Sequence, residues 1–141
     1  MESIRAIQEE IVTEFEMFED WLQKYDYLIE LGKDLDIISD AQKVDNNLIK
    51  GCQSKVWVHA ELKDGKVVYT ADSDAIITKG IISLLIRVFS HQSPSDILNA
   101  ELDFIERVGL HEHLSITRSN GLVSMIKQMK FYAIAFQSQL S

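Results

Sequence analysis

The sequence contains very little cysteine and proline, with one residue of each among 141. A single cysteine cannot form an internal disulfide, which is typical of a protein in a reducing compartment. No segment reaches the roughly 18 consecutive apolar residues that a membrane-spanning helix needs. The N-terminal segment MESIRAIQEE also lacks the apolar stretch of a signal peptide. We therefore expect a cytoplasmic protein that makes no contact with a membrane.

The sequence also lacks an excess of basic residues, since its formal net charge is -8. Residues 1–46 hold 13 acidic and 4 basic side chains, whereas residues 47–141 hold 9 acidic and 10 basic ones. An acidic chain repels phosphate backbones, and no stripe of Lys and Arg interleaved with aromatic residues is present, so nucleic acid is not an expected partner. The acidic first third is either a solvated face or a surface that docks onto a basic partner.

The length suits one compact domain, which we expect to span residues 1–141. A second helix is predicted from about Asp20 to Leu31, with Gly32 as its C-terminal cap. Residues 33–46 are polar and are predicted to form a loop. The first helix is predicted at the N-terminus, where apolar residues recur at the three- and four-residue spacing of an amphipathic helix: Ile4, Ile7, Ile11, Val12, Phe15 and Phe18.

The middle of the chain predicts a β-hairpin. Apolar and polar residues alternate from Val56 to Leu62, which is typical of a strand with one buried face. Asp64 and Gly65 predict the turn, and residues 67–71 predict the return strand.

Helices are predicted on the C-terminal side of the hairpin. The apolar segment 74–89 is too long for one strand and predicts a buried helix. Ser93 and Pro94 predict the start of the next helix, and Thr117 or Ser119 is expected to cap a long C-terminal one. The order of helices, hairpin and helices predicts an α+β fold, a small antiparallel sheet with helices packed against it.

Cys52 is distinguished by its neighbours in the sequence Ile49-Lys50-Gly51-Cys52-Gln53-Ser54-Lys55. A structural cysteine usually lies within an apolar run, whereas this one follows a glycine and precedes polar residues. Gly51 allows a tight loop, and Lys50 and Lys55 favour the thiolate over the thiol. From these residues alone, an inert and a reactive cysteine remain equally open.

The segment from Gly51 to Val58, read as GCQSKVWV, resembles the signature of the SufE family of sulfur acceptors. Further segments resemble the family in the same order along the chain, over about residues 20–135. They are Glu30-Leu31-Gly32, Asp72-Ser73-Asp74-Ala75 with Lys79-Gly80, Ser93-Pro94-Ser95-Asp96-Ile97, and Leu110–Leu114 followed by Arg118-Ser119-Asn120-Gly121-Leu122.

The resemblance implies a fold of the SufE and IscU type and a function in iron–sulfur cluster assembly. Cys52 would take the terminal sulfur of a persulfide from a SufS-like cysteine desulfurase, stimulate that enzyme, and pass the sulfur to a SufBCD-like scaffold complex. The chain would be a sulfur carrier rather than an enzyme. We also expect it to be a monomer. No cofactor or metal is expected, since pyridoxal phosphate (PLP) belongs to the desulfurase.

The resemblance also implies further site residues, which would contact the Cys52 loop or the partner: Gly51, Gln53, Ser54, Asp74 and Arg118. Two of them have plainer interpretations that stay open. Arg118 is also explained as a surface arginine ahead of a helix, and Asp74 as a helix N-cap.

Other functions remain as alternatives. Within the same class, a CsdE-like paralogue would serve another desulfurase and other sulfur users. A single-cysteine redox sensor would need an external thiol such as glutathione. A cysteine hydrolase would need a base beside Cys52, but His59 lies about 20 Å further along the predicted strand. His111 and His113 are too few for a zinc or cluster site, and positions i and i+2 do not share a helix face.

Overall fold

The computed structural model describes residues 3–50, 54–114 and 116–140, without the side chains of residues 111 and 116–118. The elements follow one another as α1 (Ile4–Glu16), α2 (Trp21–Lys33), β1 (Val56–Lys63), β2 (Lys66–Ser73), α3 (Ile76–Phe89), α4 (Pro94–Asn99), α5 (Phe104–Arg107), α6 (Leu110–His113) and α7 (Ile116–Leu140). Helices pack against a two-stranded antiparallel sheet, which confirms the predicted α+β fold.

The first two helices begin at side-chain caps. The Ser3 hydroxyl accepts the N–H of Ala6 at 3.1 Å, and Asp20 accepts the N–H of Gln23 at 2.9 Å. The predicted apolar stripe is buried from Ile4 to Phe15, whereas Phe18 lies beyond the end of α1 and is half-buried. Residues 33–46 lie mostly outside regular structure, but they include a short 3₁₀ helix, Asp40–Gln42, and begin a second one, Asp45–Asn47.

The hairpin has the predicted strands and turn. Val56 pairs with Ser73 at its open end, and Lys63 pairs with Lys66 beside the turn. Asp64 and Gly65 have φ values of 52° and 77°, which is the left-handed geometry of the tight turns that join twisted strands. One face of the hairpin lies in the core, as the alternation predicted: Val56, Val58, Ala60, Val67, Tyr69 and Ala71.

Helix α3 is buried and packs closely against α2. The predicted C-terminal cap at Gly32 is wrong, because α2 continues to Lys33 and Gly32 is buried within it. A Cβ on Gly32 would lie 3.0 Å from the backbone nitrogen of Gly80, and a Cβ on Gly80 would lie 2.1 Å from the carbonyl oxygen of Leu28. The two glycines therefore allow the helix backbones to approach closely.

The C-terminal helix α7 also packs against the hairpin, and α4 packs against α7. Ser93 caps α4 as predicted, by accepting the N–H of Asp96 at 3.1 Å. The predicted caps of the last helix are wrong, because α7 begins at Ile116, so Thr117 and Ser119 lie inside it. The Tyr69 hydroxyl donates to the carbonyl of Met129 at 2.7 Å, and this bond ties α7 to β2.

Candidate functional site

The segment that carries the cysteine connects a short β-bridge to the hairpin. Leu48 pairs with Trp57, and the N–H of Ile49 donates to the carbonyl of Val56 at 2.8 Å. The residues on either side of this segment are therefore held next to each other. Three of the predicted site residues fall between these anchors but lie outside the described residues: Gly51, Cys52 and Gln53.

Asp74 fixes the C-terminal flank of this segment. Its carboxylate oxygen Oδ1 accepts the N–H of Lys55 at 3.0 Å, and its own N–H donates to the carbonyl of Lys55 at 3.2 Å. The interpretation of Asp74 as an N-cap is wrong, because Ala75 occupies that position of α3 and offers no side-chain cap. Asp74 instead extends the pairing of β1 with β2 by one residue.

Ser54 lies against the first turn of α3. Its hydroxyl is 3.4 Å from the hydroxyl of Thr78, and either oxygen can donate. Ser54 and Asp74, both predicted as site residues, are thus brought to the same corner. The backbone of Arg118 lies in the first turn of α7, and its side chain lies outside the described residues.

A pair of lysines surrounds a carboxylate next to this corner. Asp72 receives a hydrogen bond from Lys43 Nζ at 2.8 Å and lies 3.4 Å from Lys79 Nζ. Burial raises the pKa of Asp72, but the Lys43 hydrogen bond, the N–H of Ser73 and the lysine charges outweigh it and hold that pKa below its usual value. Asp72 therefore remains ionised and keeps both lysines near the open end of the hairpin.

The sequence did not single out this triad. Asp72 belonged to a segment that resembled the family, but nothing predicted a role for its side chain. The partly exposed face of β2 carries Asp72 at the same register as Trp57, and Lys43 Nζ lies 5.5 Å from the Trp57 ring centroid. Lys43 comes from the polar segment before the hairpin, so only the tertiary structure brings these groups together.

A groove of about 430 Å³ adjoins the N-terminal flank of the cysteine segment. Ile49 and Lys50 form one wall, and Lys127 and Phe131 of α7 form the other. Phe131 is 65% exposed. The groove therefore offers apolar surface and two cations immediately before Gly51.

Within residues 3–50, 54–114 and 116–140, no three His, Cys, Asp or Glu side chains come together as a metal site. His113, one of the histidines considered as ligands, instead stacks on Trp21 with ring centroids 4.0 Å apart. Among the same residues, no helix is long and apolar enough to cross a membrane.

Comparison with solved structures supports the fold. A solution structure described as a hypothetical protein from Thermus thermophilus superimposes with a TM-score of 0.78 and 20% identity. The match covers 94% of this chain and 96% of that one.

Sequence comparison identifies the family. An uncharacterized SufE-like protein of Synechocystis is 39% identical over 127 residues, covering 90% of this chain and 80% of that protein. An uncharacterized SufE-like protein of Rhizobium meliloti is 35% identical over 127 residues, covering 86% and 91%. The model of the SufE Fe-S metabolism associated domain matches residues 9–133. The chain therefore belongs to the SufE family.

Proposed function

We propose that this chain is a sulfur carrier that receives sulfur on Cys52 from a PLP-dependent, SufS-like cysteine desulfurase. It stimulates that desulfurase and delivers the sulfur to an iron–sulfur scaffold complex of the SufBCD type. The observation that carries the proposal is the position of the only cysteine. In a chain of the SufE family, Cys52 falls in the short segment between Ile49 and Val56, whose two ends are hydrogen-bonded to each other.

The transfer step is an exchange at sulfur. The Cys52 thiolate attacks the terminal sulfur of the donor's persulfide. A new S–S bond forms on Cys52, the S–S bond of the donor breaks, and its electron pair leaves with the donor's cysteine as a thiolate. The sulfur atom moves as a neutral unit, so no outside oxidant or reductant is needed.

The charges beside the segment support this chemistry. Lys50 and Lys55 flank Cys52 in the sequence and are exposed, and Lys79 lies one residue from Thr78, the contact of Ser54. Cations near a thiol favour its thiolate, and they also favour the persulfide anion that follows.

The remaining predicted site residues receive roles within this proposal. Asp74 and Ser54 hold the C-terminal flank of the segment. Gly51 and Gln53 lie within the segment and Arg118 begins α7, and we assign all three to the loop or to contact with the desulfurase. Incubating the chain with a SufS-like and with a CsdE-associated desulfurase decides which of the two is the donor.

The test is mass spectrometry of the intact chain after incubation with cysteine and each desulfurase. We expect a gain of about one sulfur mass on the wild type, and neither this gain nor stimulation of desulfurase turnover with Cys52→Ser. Full stimulation by Cys52→Ser would contradict the transfer mechanism.

A relocated cysteine provides the matched control. In the Cys52→Ser background, Ser95→Cys restores one exposed cysteine at the start of α4. This variant should remain unloaded by the desulfurase while reacting normally with iodoacetamide. Loading at the wild-type rate would show that any exposed thiol suffices, and the assignment of a site at Cys52 would be wrong.

A further inference from the structure

A second groove lies away from the cysteine segment, between the end of α1 and the outer face of α2. Its volume is about 440 Å³, and it is lined by Met17, Phe18, Gln23, Asp26, Tyr27 and Glu30. We call it the α1–α2 groove. It belongs to the acidic first third of the chain, which the proposed sulfur transfer does not use.

The floor of the α1–α2 groove is aromatic and fixed in place. The Tyr27 ring centroid lies 5.0 Å from that of Phe18 and 5.4 Å from that of Phe15. The Tyr27 hydroxyl donates to Glu14, which also accepts a hydrogen bond from Arg87 Nη1 at 2.8 Å. Because both ends of the Tyr27 side chain are held, its ring is a preformed surface for a cation.

The rim of the groove carries carboxylates. Glu30 forms an exposed pair with Lys33 at 2.9 Å. Asp26 is exposed, and among the side chains that the structure describes it has no ion-pair partner. An aromatic floor beside two carboxylates is the environment that binds the side chain of Lys or Arg.

Exposed apolar side chains accompany these groups, since Met17 lines the groove and Leu22 lies one helical turn before Asp26 on α2. Leu22 is 72% exposed and Met17 is 70% exposed, and these are the highest values for large hydrophobic side chains in the described part of the chain. A small free cation would leave both in water, whereas a protein segment can cover them. Methionine adapts its shape to such partners.

We propose that the α1–α2 groove docks a basic segment of a partner protein. A Lys or Arg of that segment lies over Tyr27 between Asp26 and Glu30, and an apolar neighbour packs on Met17 and Leu22. The proposal goes beyond the sulfur transfer and does not depend on it.

The groove is far enough from the cysteine segment to act separately. Tyr27 is joined through Glu14 to Arg87 on α3, whereas Ser54 contacts Thr78 on the same helix. Nine residues of helix separate Thr78 from Arg87, which is about 14 Å. The groove and the flank of the cysteine segment therefore adjoin opposite ends of α3.

The test is an NMR titration of the whole chain, labelled with ¹³C in its methionine methyl groups. The added ligand is a twelve-residue peptide that carries four Arg or Lys and two Leu residues. A peptide with Glu at the basic positions is the control. We expect a saturable shift of the Met17 methyl signal with the basic peptide only. Met125 and Met129, which are 2% and 0% exposed, serve as internal references and should not shift.

Two charge-reversal variants separate the groove from overall charge. Asp26→Lys/Glu30→Lys should weaken binding about tenfold, and Asp26→Asn should weaken it less. Glu101→Lys/Glu106→Lys makes the same change in net charge at exposed positions elsewhere and should leave binding unchanged. Equal weakening by both double variants, or absence of a saturable Met17 shift, would overturn the proposal.

Discussion

The two ends of helix α3 are held in different ways. At the C-terminal end, Arg87 bonds to Glu14 and Glu10 of α1, and Tyr27 of α2 bonds to Glu14 as well. At the N-terminal end, the adjoining segment is held by Asp74 on the backbone of Lys55 and by Ser54 near Thr78 at 3.4 Å.

This contrast indicates which end of α3 separates from its neighbours at the lower free energy. The C-terminal end combines charge-assisted hydrogen bonds with an aromatic cluster, so separating the three helices there breaks several interactions together. At the other end, the contact of α3 with the cysteine segment is the hydroxyl pair of Ser54 and Thr78, and a neutral hydrogen bond of this kind contributes about 1 kcal/mol. We therefore predict that a partner opens the end beside Cys52, through contacts made only in the open state.

The largest effect is expected at the α2–α3 crossing that supports both ends. In Gly80→Ala the new methyl group would lie 2.1 Å from the carbonyl oxygen of Leu28, so the helices must separate. We expect a loss of about 3 kcal/mol in the free energy of unfolding, measured by urea denaturation.

Gly65→Ala is the control for a glycine substitution without a clash. Gly65 has φ +77°, and nothing lies within 4 Å of its added Cβ, so only backbone strain of about 1 kcal/mol applies. A loss in Gly80→Ala no greater than that in Gly65→Ala would show that the close helix approach is not essential.

An intermediate effect is expected when the C-terminal end is weakened. Arg87→Met keeps the side-chain volume but removes the partner of Glu14, and we expect it to cost about 1–2 kcal/mol in the free energy of unfolding. The control is Arg107→Met, which breaks an exposed pair with Glu9 and should cost clearly less stability than Arg87→Met. Equal losses would show that the Arg87–Glu14 pair stabilises the fold no more than an exposed ion pair.

The same pair predicts a dependence on pH. The Arg87 hydrogen bond holds the pKa of Glu14 below its usual 4.5, against the opposing effect of burial. A lowered folded-state pKa stabilises the protein above the unfolded-state pKa, and this stabilisation is lost as the pH falls through the folded-state value. Between pH 7 and pH 3, the wild type should therefore lose more unfolding free energy than Arg87→Met. Identical pH profiles would contradict this assignment.

The sequence predicted the elements that depend on local patterns. The stripe of α1, the strand alternation, the Asp64-Gly65 turn and the Ser93 cap are each determined by residues close together in the chain. Gly32 was misread because its small size serves a contact with Gly80, 48 residues away. A helix-end signal and a close-packing glycine look identical in one sequence.

The candidate site, like the fold, has features that the sequence predicted and features that only the tertiary structure shows. The prediction of Cys52 as the sulfur acceptor rests on its neighbours together with a family resemblance, whereas the partners of Asp74 followed from neither. The bond to Lys55 exists because the hairpin brings residues 19 apart together, and the triad around Asp72 needs Lys43 from a third segment. Long-range pairings of this kind carry no short-range signal.

The smallest effect on stability, and the sharpest test of the contrast between the ends of α3, is expected at Asp74. Asp74→Ala removes the acceptor for the N–H of Lys55 and should cost about 0.5–1 kcal/mol. Because the flank of the cysteine segment then opens more often, exchange of the Lys55 amide should accelerate about fivefold, and sulfur transfer from the desulfurase should accelerate with it. Asp74→Asn keeps an acceptor oxygen and should resemble the wild type in both measurements. Unchanged exchange in Asp74→Ala would show that the carboxylate does not hold the flank. Faster exchange with an unchanged transfer rate would show that opening of this end does not limit the sulfur transfer.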